Sequence, residues 1–242
     1  MKRLLLLATP LLSFQSIAND TLIESIERFT DIFSVSLSQS PDNDKTVATL
    51  DINYQLTDQF RIFGEVDTRD YWQAGLGYSF WQGDTYYTEN NLKVSEHEIN
   101  TGIFAAKLIH EQWTLLAELN YNFMDKDSEF DNAASKVQFN IADTFDYGIG
   151  TLWSPVKYVD ILYKFNHEIG VTKDSRNLYV KNDYPILGID SGHYKNKDRF
   201  NHHYHEVAMF LNLKYLKPSV TYTFDLEYSD NNFVEFGLAF DF

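Results

Sequence analysis

Apolar residues fall at every second position along most of this chain. The last stretch shows the pattern most plainly: Val234, Phe236, Leu238, Phe240 and Phe242 alternate with Glu235, Gly237, Ala239 and Asp241. A period of two marks a strand with one apolar and one polar face. The same alternation sets Phe33, Val35 and Leu37 against Ser34, Ser36 and Ser38, and Leu50, Ile52 and Tyr54 against Asp51, Asn53 and Gln55. It returns at Phe60–Val66, Trp72–Phe80, Trp113–Phe123, Phe145–Trp153, Val159–Ile169, Val207–Tyr215 and Val220–Tyr228. The pattern is weakest over 85–94. Over 102–108, Gly102, Phe104, Ala106 and Leu108 are read as the apolar phase, opposite Ile103, Ala105 and Lys107.

Turn residues separate these runs into 12 strands of about ten residues each, the length a tilted strand needs to cross a bilayer. The parity is informative. Counted back from the C-terminus, the tight connections at 57–58, 82–84, 110–112, 154–157 and 216–218 fall on one side. The two long polar connections, 126–142 and 171–202, fall on the other and read as loops. Short turns on one side and long loops on the other are the outer-membrane arrangement. The fold expected is all-β: a 12-stranded antiparallel transmembrane β-barrel of the outer-membrane type. An exported β-sandwich is the soluble architecture with similar patterning.

The N-terminus departs from the pattern. Lys2 and Arg3 precede an apolar stretch, Leu4 to Phe14, and Gln15-Ser16-Ile17-Ala18 ends on a small residue. Residues 1–18 therefore read as a secretory signal peptide, 19–29 as a periplasmic N-terminal segment and 30–242 as the barrel. With its terminal aromatic, the set Phe236, Leu238, Phe240 and Phe242 reads as the signal that barrel-assembly machinery recognises.

Composition sharpens this picture at three points. Aromatic residues make up 16% of the chain, with 16 Tyr and 19 Phe, and suit the interfacial girdles of a membrane barrel. The chain has no cysteine, which excludes a disulfide scaffold and thiol chemistry. The net charge is −15, and loss of Lys2 and Arg3 with the signal peptide makes it −17, which argues against a nucleic-acid partner.

The segment Lys217 to Tyr222, which reads Lys-Pro-x-Val-x-aromatic, together with the closing Gly-Leu-Ala-Phe-Asp-Phe, resembles the end of the oligogalacturonate-specific porins. The resemblance covers about 203–242, supported by strand count and overall length. It implies a 12-stranded monomeric barrel that passes acidic sugar oligomers across the outer membrane of a Gram-negative cell. That family lines its pores with Arg and Lys. This chain departs from the pattern.

In a barrel the polar phase faces the lumen. The pore-lining residues expected are Arg61, Glu65, Lys107, Glu118, Asp146, Asp160, Lys164, Glu206, Lys214, Asp225, Glu227 and Glu235. Asp51, Asp67, Lys93, Glu168 and Asp241 share the same phase, so acids outnumber bases. The function expected is passive passage of small hydrophilic solutes, such as oligosaccharides or cations. Its partners would be small solutes, outer-membrane lipid and lipopolysaccharide, and neither a cofactor nor a metal is expected.

Two other classes are carried. A barrel enzyme of lipase or protease type would draw on Asp190-Ser191-Gly192-His193, or on Asp198, His202 and Asp143. A structural or adhesive barrel would act through its outer loops, where 171–202 carries a small excess of Lys and Arg. Clustered histidines at 193, 202, 203 and 205 lack metal-ligand spacing and read as a polar rim.

Overall fold

The structure is a computed structural model, and it describes residues 32–40, 43–124, 128–131, 135–156, 158–180, 192–195, 199–213, 215–226 and 232–241. The signal-peptide and N-terminal readings, Phe242, Lys214 and Glu227 lie outside the described residues. Twelve strands form a closed, wholly antiparallel ring. They are β1 (Ile32–Ser40), β2 (Asn43–Gln55), β3 (Phe60–Asp67), β4 (Trp72–Gln82), β5 (Tyr86–Ser95), β6 (Glu98–His110), β7 (Trp113–Met124), β10 (Thr144–Val156), β11 (Val159–Gly170), β14 (Asn201–Leu211), β15 (Leu216–Phe224) and β16 (Phe233–Asp241). Every strand pairs with its neighbours along the chain, and β1 closes the ring on β16 from Ile32↔Asp241 to Gln39↔Val234.

The segments read as polar loops contribute structure of their own. Four short strands, β8 (Ser128–Asp131), β9 (Ser135–Asn140), β12 (Ser175–Val180) and β13 (Gly192–Lys195), form a separate sheet in the order β13-β12-β9-β8. β9 and β12 come from different connections, yet pair from Ser135↔Val180 to Asn140↔Ser175. A polar stretch can join a sheet when a second chain segment offers backbone partners, and side-chain periodicity does not reveal such a partner. Both connections leave the barrel end opposite the described N- and C-terminal residues, Ile32 and Asp241. The tight turns β2–β3, β4–β5, β6–β7, β10–β11 and β14–β15 lie at the terminal end.

The amphipathic order is the reverse of that in a soluble domain. Ser34, Ser36, Thr49, Ser79, Asn100, Thr114 and Asp160 are buried inside the ring, whereas Ile52, Leu76, Phe80, Ile103, Leu119 and Ile149 are exposed on its outer surface. A monomeric soluble protein rarely exposes an apolar surface of this extent. Strands of 8 to 13 residues form the wall; inclined at about 40°, a strand of about ten residues rises about 25 Å, the height of a bilayer's apolar band.

Aromatic pairs mark both edges of that band. Phe60–Tyr78 and the stacked Trp113–Trp153 pair, with centroids 5.0 and 5.6 Å apart, lie near the terminal end. Tyr121–Phe123, Tyr147–His167 and Tyr222–Phe224 lie toward the other. Ring bodies in lipid and polar tips at the headgroups account for such belts.

Strand β6 has the opposite phase from the one read in the sequence. Asn100, Gly102, Phe104, Ala106 and Leu108 point inward, and Ile99, Ile103 and Ile109 point out. Both phases of this strand carry apolar residues, so periodicity alone does not select a face. Its register does: Ile103 pairs with Leu119 and Asn90, all on the exterior.

A basic residue on the lipid face costs about 2–4 kcal/mol at the midplane and about 0–1 kcal/mol near an interface. Leu119→Arg, at mid-strand on the outer surface, should therefore lower the unfolding free energy in lipid vesicles by about 2–4 kcal/mol. Lys107→Leu, three residues from the end of β6, should change it by no more than about 1 kcal/mol. Reversible denaturant unfolding followed by Trp fluorescence measures both.

Candidate functional site

The candidate site is the interior of the ring, built by the inward phase of all twelve strands. Of the residues expected there, Arg61, Glu65, Glu118, Asp146, Asp160, Lys164, Glu206, Asp225 and Glu235 all point inward. Lys107 does not. It sits on the exterior between its register partners Tyr86 and Leu115, and is exposed. Its expected lumenal position rested on the inverted phase of β6. Near the strand end, a long lysine stem can lie along apolar surface and carry its ammonium to the interface. Among the residues whose side chains are described, it is the one Lys, Arg, Asp or Glu on the outward phase of the barrel strands.

Three more charges face the interior, of which alternation read strictly would have found Glu89 and Lys217. Glu89 shares the phase that places Lys93 inside, Glu98 opens the inverted strand, and Lys217, read as part of a turn, is 1% exposed. Among the residues whose side chains are described, the inward phase then holds twelve acids: Asp51, Glu65, Asp67, Glu89, Glu98, Glu118, Asp146, Asp160, Glu168, Glu206, Asp225 and Glu235. It holds four bases: Arg61, Lys93, Lys164 and Lys217.

These charges are arranged by height. Toward the long-loop end, Asn100 donates to Asn122, which donates to Asp146 Oδ2 at 2.7 Å and to Thr144 Oγ1 at 2.9 Å. Glu168 is the cross-strand neighbour of Asp146 on one side and of His202 on the other. The His202 Nε2 to Asp225 Oδ2 distance is 2.7 Å. Across the ring, Asp51 accepts from Ser34 Oγ at 3.2 Å and stands beside Glu65 in register.

At mid-height the bases meet their partners. Arg61 forms an ion pair with Glu89, and Lys164 Nζ donates to Glu118 Oε1 at 2.6 Å. Asn166 Nδ2 donates to Glu206 Oε2 at 2.7 Å. The Phe63 ring lies between two cations, with Arg61 5.6 Å and Lys93 Nζ 5.5 Å from its centroid. That arrangement depends on Gly75, the cross-strand partner of both Phe63 and Lys93. A Cβ there would run into the Phe63 ring and lie 2.8 Å from the Leu92 carbonyl oxygen. Gly77 likewise makes room for Glu89, whose carboxyl carbon would be 2.8 Å from an added Cβ. These glycines receive neighbouring side chains, so their positions do not add free lumen.

At the terminal end the interior turns apolar. Tyr87, Ala106, Leu116 and Leu152 form one buried cluster, with Trp81, Phe104, Leu108, Leu162 and Ala239 packed against it. Beside it Asp160, fully buried, accepts from Ser154 Oγ at 2.5 Å and Asn212 Nδ2 at 2.6 Å. The alternation gave no warning of this cluster beyond the occasional Leu in a polar phase.

Of the residues named for enzymatic alternatives, Asp143 and His202 are held by other partners, and Asp198 lies outside the described residues. Asp143 accepts from Tyr121 Oη at 3.1 Å and from the Met124 amide at 3.2 Å, whereas His202 bonds Asp225. The side chains of 190–193 lie outside the described residues. His203 and His205 face outward beside Phe165, as their spacing from His202 requires, and Tyr163 Oη lies 2.8 Å from His205 Nδ1. Among the described residues no group of three His, Asp or Glu is placed to hold a metal ion.

No family model and no curated protein matches this sequence. Solved structures do. A KdgM porin in complex with disordered oligogalacturonate superposes with a TM-score of 0.60 at 11% identity, over 87% of this chain and 99% of that one. A NanC porin does so with 0.58 at 7% identity, over 87% and 98%. An outer membrane channel from Pseudomonas putida F1 follows with 0.56 at 12% identity, over 87% and 94%. At these identities the likeness is one of fold, and it is nearly end to end: this chain is a closed 12-stranded barrel with the architecture of outer-membrane porins.

Proposed function

We propose that this barrel is an outer-membrane channel for the passive passage of small hydrophilic solutes, and that it favours cations and neutral solutes over anions. The observation that carries the reading is the inside-out amphipathicity: a polar, charged interior within a closed wall whose outer surface is apolar. A wall of that kind has its use where lipid lies outside and an aqueous path lies within. The similarity in fold to porins supports the same reading. Among the described residues, Asp143 and His202, named for a catalytic alternative, bond other partners.

The charge census supports the selectivity. Twelve acids against four bases leave a negative excess on the interior wall. A confined lumen lined by one sign of charge concentrates counter-ions and repels co-ions. The family resemblance by itself would favour acidic oligosaccharides, attracted by Arg and Lys. Here Arg61 and Lys164 are paired with Glu89 and Glu118. The pore-lining roles of Glu65, Glu118, Asp146, Glu206, Asp225 and Glu235 belong to this proposal. So does a monomer that contacts lipid and lipopolysaccharide directly and is inserted by the barrel-assembly machinery.

Orientation follows from the loops. The terminal end faces the periplasm and the four-stranded sheet of β8, β9, β12 and β13 lies outside the cell. The chain has no cysteine, so single cysteines report cleanly. A membrane-impermeant maleimide applied to intact cells should label His97→Cys, in the turn between β5 and β6, and spare Asp84→Cys, in the turn between β4 and β5. Labelling of the second alone would invert the orientation.

Selectivity is read from the zero-current potential of refolded protein in a planar bilayer across a KCl gradient. Potassium should be preferred. Glu65→Gln with Glu235→Gln should bring the potential toward zero, most strongly at low salt, where the Debye length is about 30 Å at 0.01 M. A preference for chloride in the unmodified protein would sink the cation reading and restore acidic oligosaccharides as the solute class.

A further inference from the structure

The interior changes character sharply near the periplasmic end. Trp81 and Tyr87 flank the turn between β4 and β5, Leu108 sits just before the turn between β6 and β7, and Leu152 and Leu162 flank the turn between β10 and β11. Their rings and branched chains meet in one cluster: Trp81 and Tyr87 have centroids 4.6 Å apart, and Tyr87 and Phe104 lie edge to face at 6.2 Å. The cluster does not stay on one wall. Ala239, on β16, packs against it, and β16 lies six strands from β6 in either direction around the ring. The apolar groups therefore span the lumen from one side to the other. Above them Tyr87 Oη donates to Glu89 Oε2 at 2.7 Å, and Glu89 pairs with Arg61, so the charged belt begins where the apolar layer stops.

We infer that this layer is the element that sets ion conductance: a hydrophobic constriction at the periplasmic mouth that ions cross only when it is wetted. The inference rests on the channel reading above and adds where along the path the barrier lies. An ion in the charged belt exchanges water for carboxylates and amides. At the apolar layer it must shed water against Leu and aromatic side chains, while the polar groups beside that layer, Asp160 with Ser154 and Asn212, are bonded to one another, so the crossing is costly. Water itself is held poorly by an apolar constriction, so the passage alternates between dry and wet states, the mode of gating used by other hydrophobic pore constrictions. The acidic belt then decides which sign of ion waits at the barrier, and the constriction decides how often one crosses.

The test separates wetting from size. Leu116→Asn with Leu152→Asn keeps the number and branching of the side-chain heavy atoms and makes the layer polar. Leu116→Ala with Leu152→Ala widens it and leaves it apolar. Single-channel recording in KCl should show the Asn pair raising conductance or open occupancy several-fold over the unmodified protein, with the Ala pair raising it much less. Heat-dependent mobility on gels confirms that each variant is folded, and Leu162→Asn alone serves if the double Asn variant does not fold. Equal gains from the Asn and Ala pairs would make the layer a simple steric plug and overturn the inference. Unchanged conductance of a conducting Asn variant would overturn it and leave the channel reading standing. Silence of every folded variant would overturn both.

Discussion

The interaction on which the rest depends is the pairing of β1 with β16. Eight register pairs, from Ile32↔Asp241 to Gln39↔Val234, join the first described strand to the last. Within a bilayer an unpaired amide or carbonyl has no water to turn to, and each costs several kcal/mol. An open sheet of these strands would carry two such edges. Closing the ring removes both at once, so the wall is stable in lipid only as a complete circuit.

Closure then dictates where side chains go. Each strand has two faces, one outside the circuit and one inside. Lipid claims the apolar phase, which leaves the charges no place but the interior. There they lose much of their water, and the structure answers with partners: Arg61 with Glu89, Lys164 with Glu118, Asn166 with Glu206, Asn122 with Asp146. Interior ion pairs seldom add much net stability, because desolvation offsets their attraction. Their consequence is geometric. They hold long side chains against the wall, and Gly75 and Gly77 let the belt of Phe63, Lys93 and Glu89 lie close to the backbone.

The same circuit holds two chemically different zones. Carboxylates crowd the long-loop and middle heights, while the end that holds the described termini is filled by Trp81, Tyr87, Phe104, Leu116 and Leu152. A charged zone alone would favour entry of counter-ions, and an apolar zone alone would resist them. On the proposed channel reading, the two in series would divide selection and the limiting of flow between different residues, at different heights on the same strands.

Much of this was legible in the residues themselves. Period-two alternation across twelve runs, short connections on one side and long ones on the other, and aromatic residues at the strand ends together determined an antiparallel membrane barrel and the inward phase of Glu65, Glu118, Asp146 and Asp225. They did so because a strand's two faces alternate strictly and lipid penalises the wrong choice. What the alternation left open was decided by pairing across the chain. Strand β6 carries apolar residues on both faces, so only its register against β5 and β7 turned Phe104 inward and Lys107 out. The polar connections became a second sheet only because β9 found β12, about 40 residues away. The apolar layer needed more still, since Ala239 is distant in sequence from the cluster of Tyr87, Ala106, Leu116 and Leu152 and packs against it only because a closed ring brings opposite walls within reach.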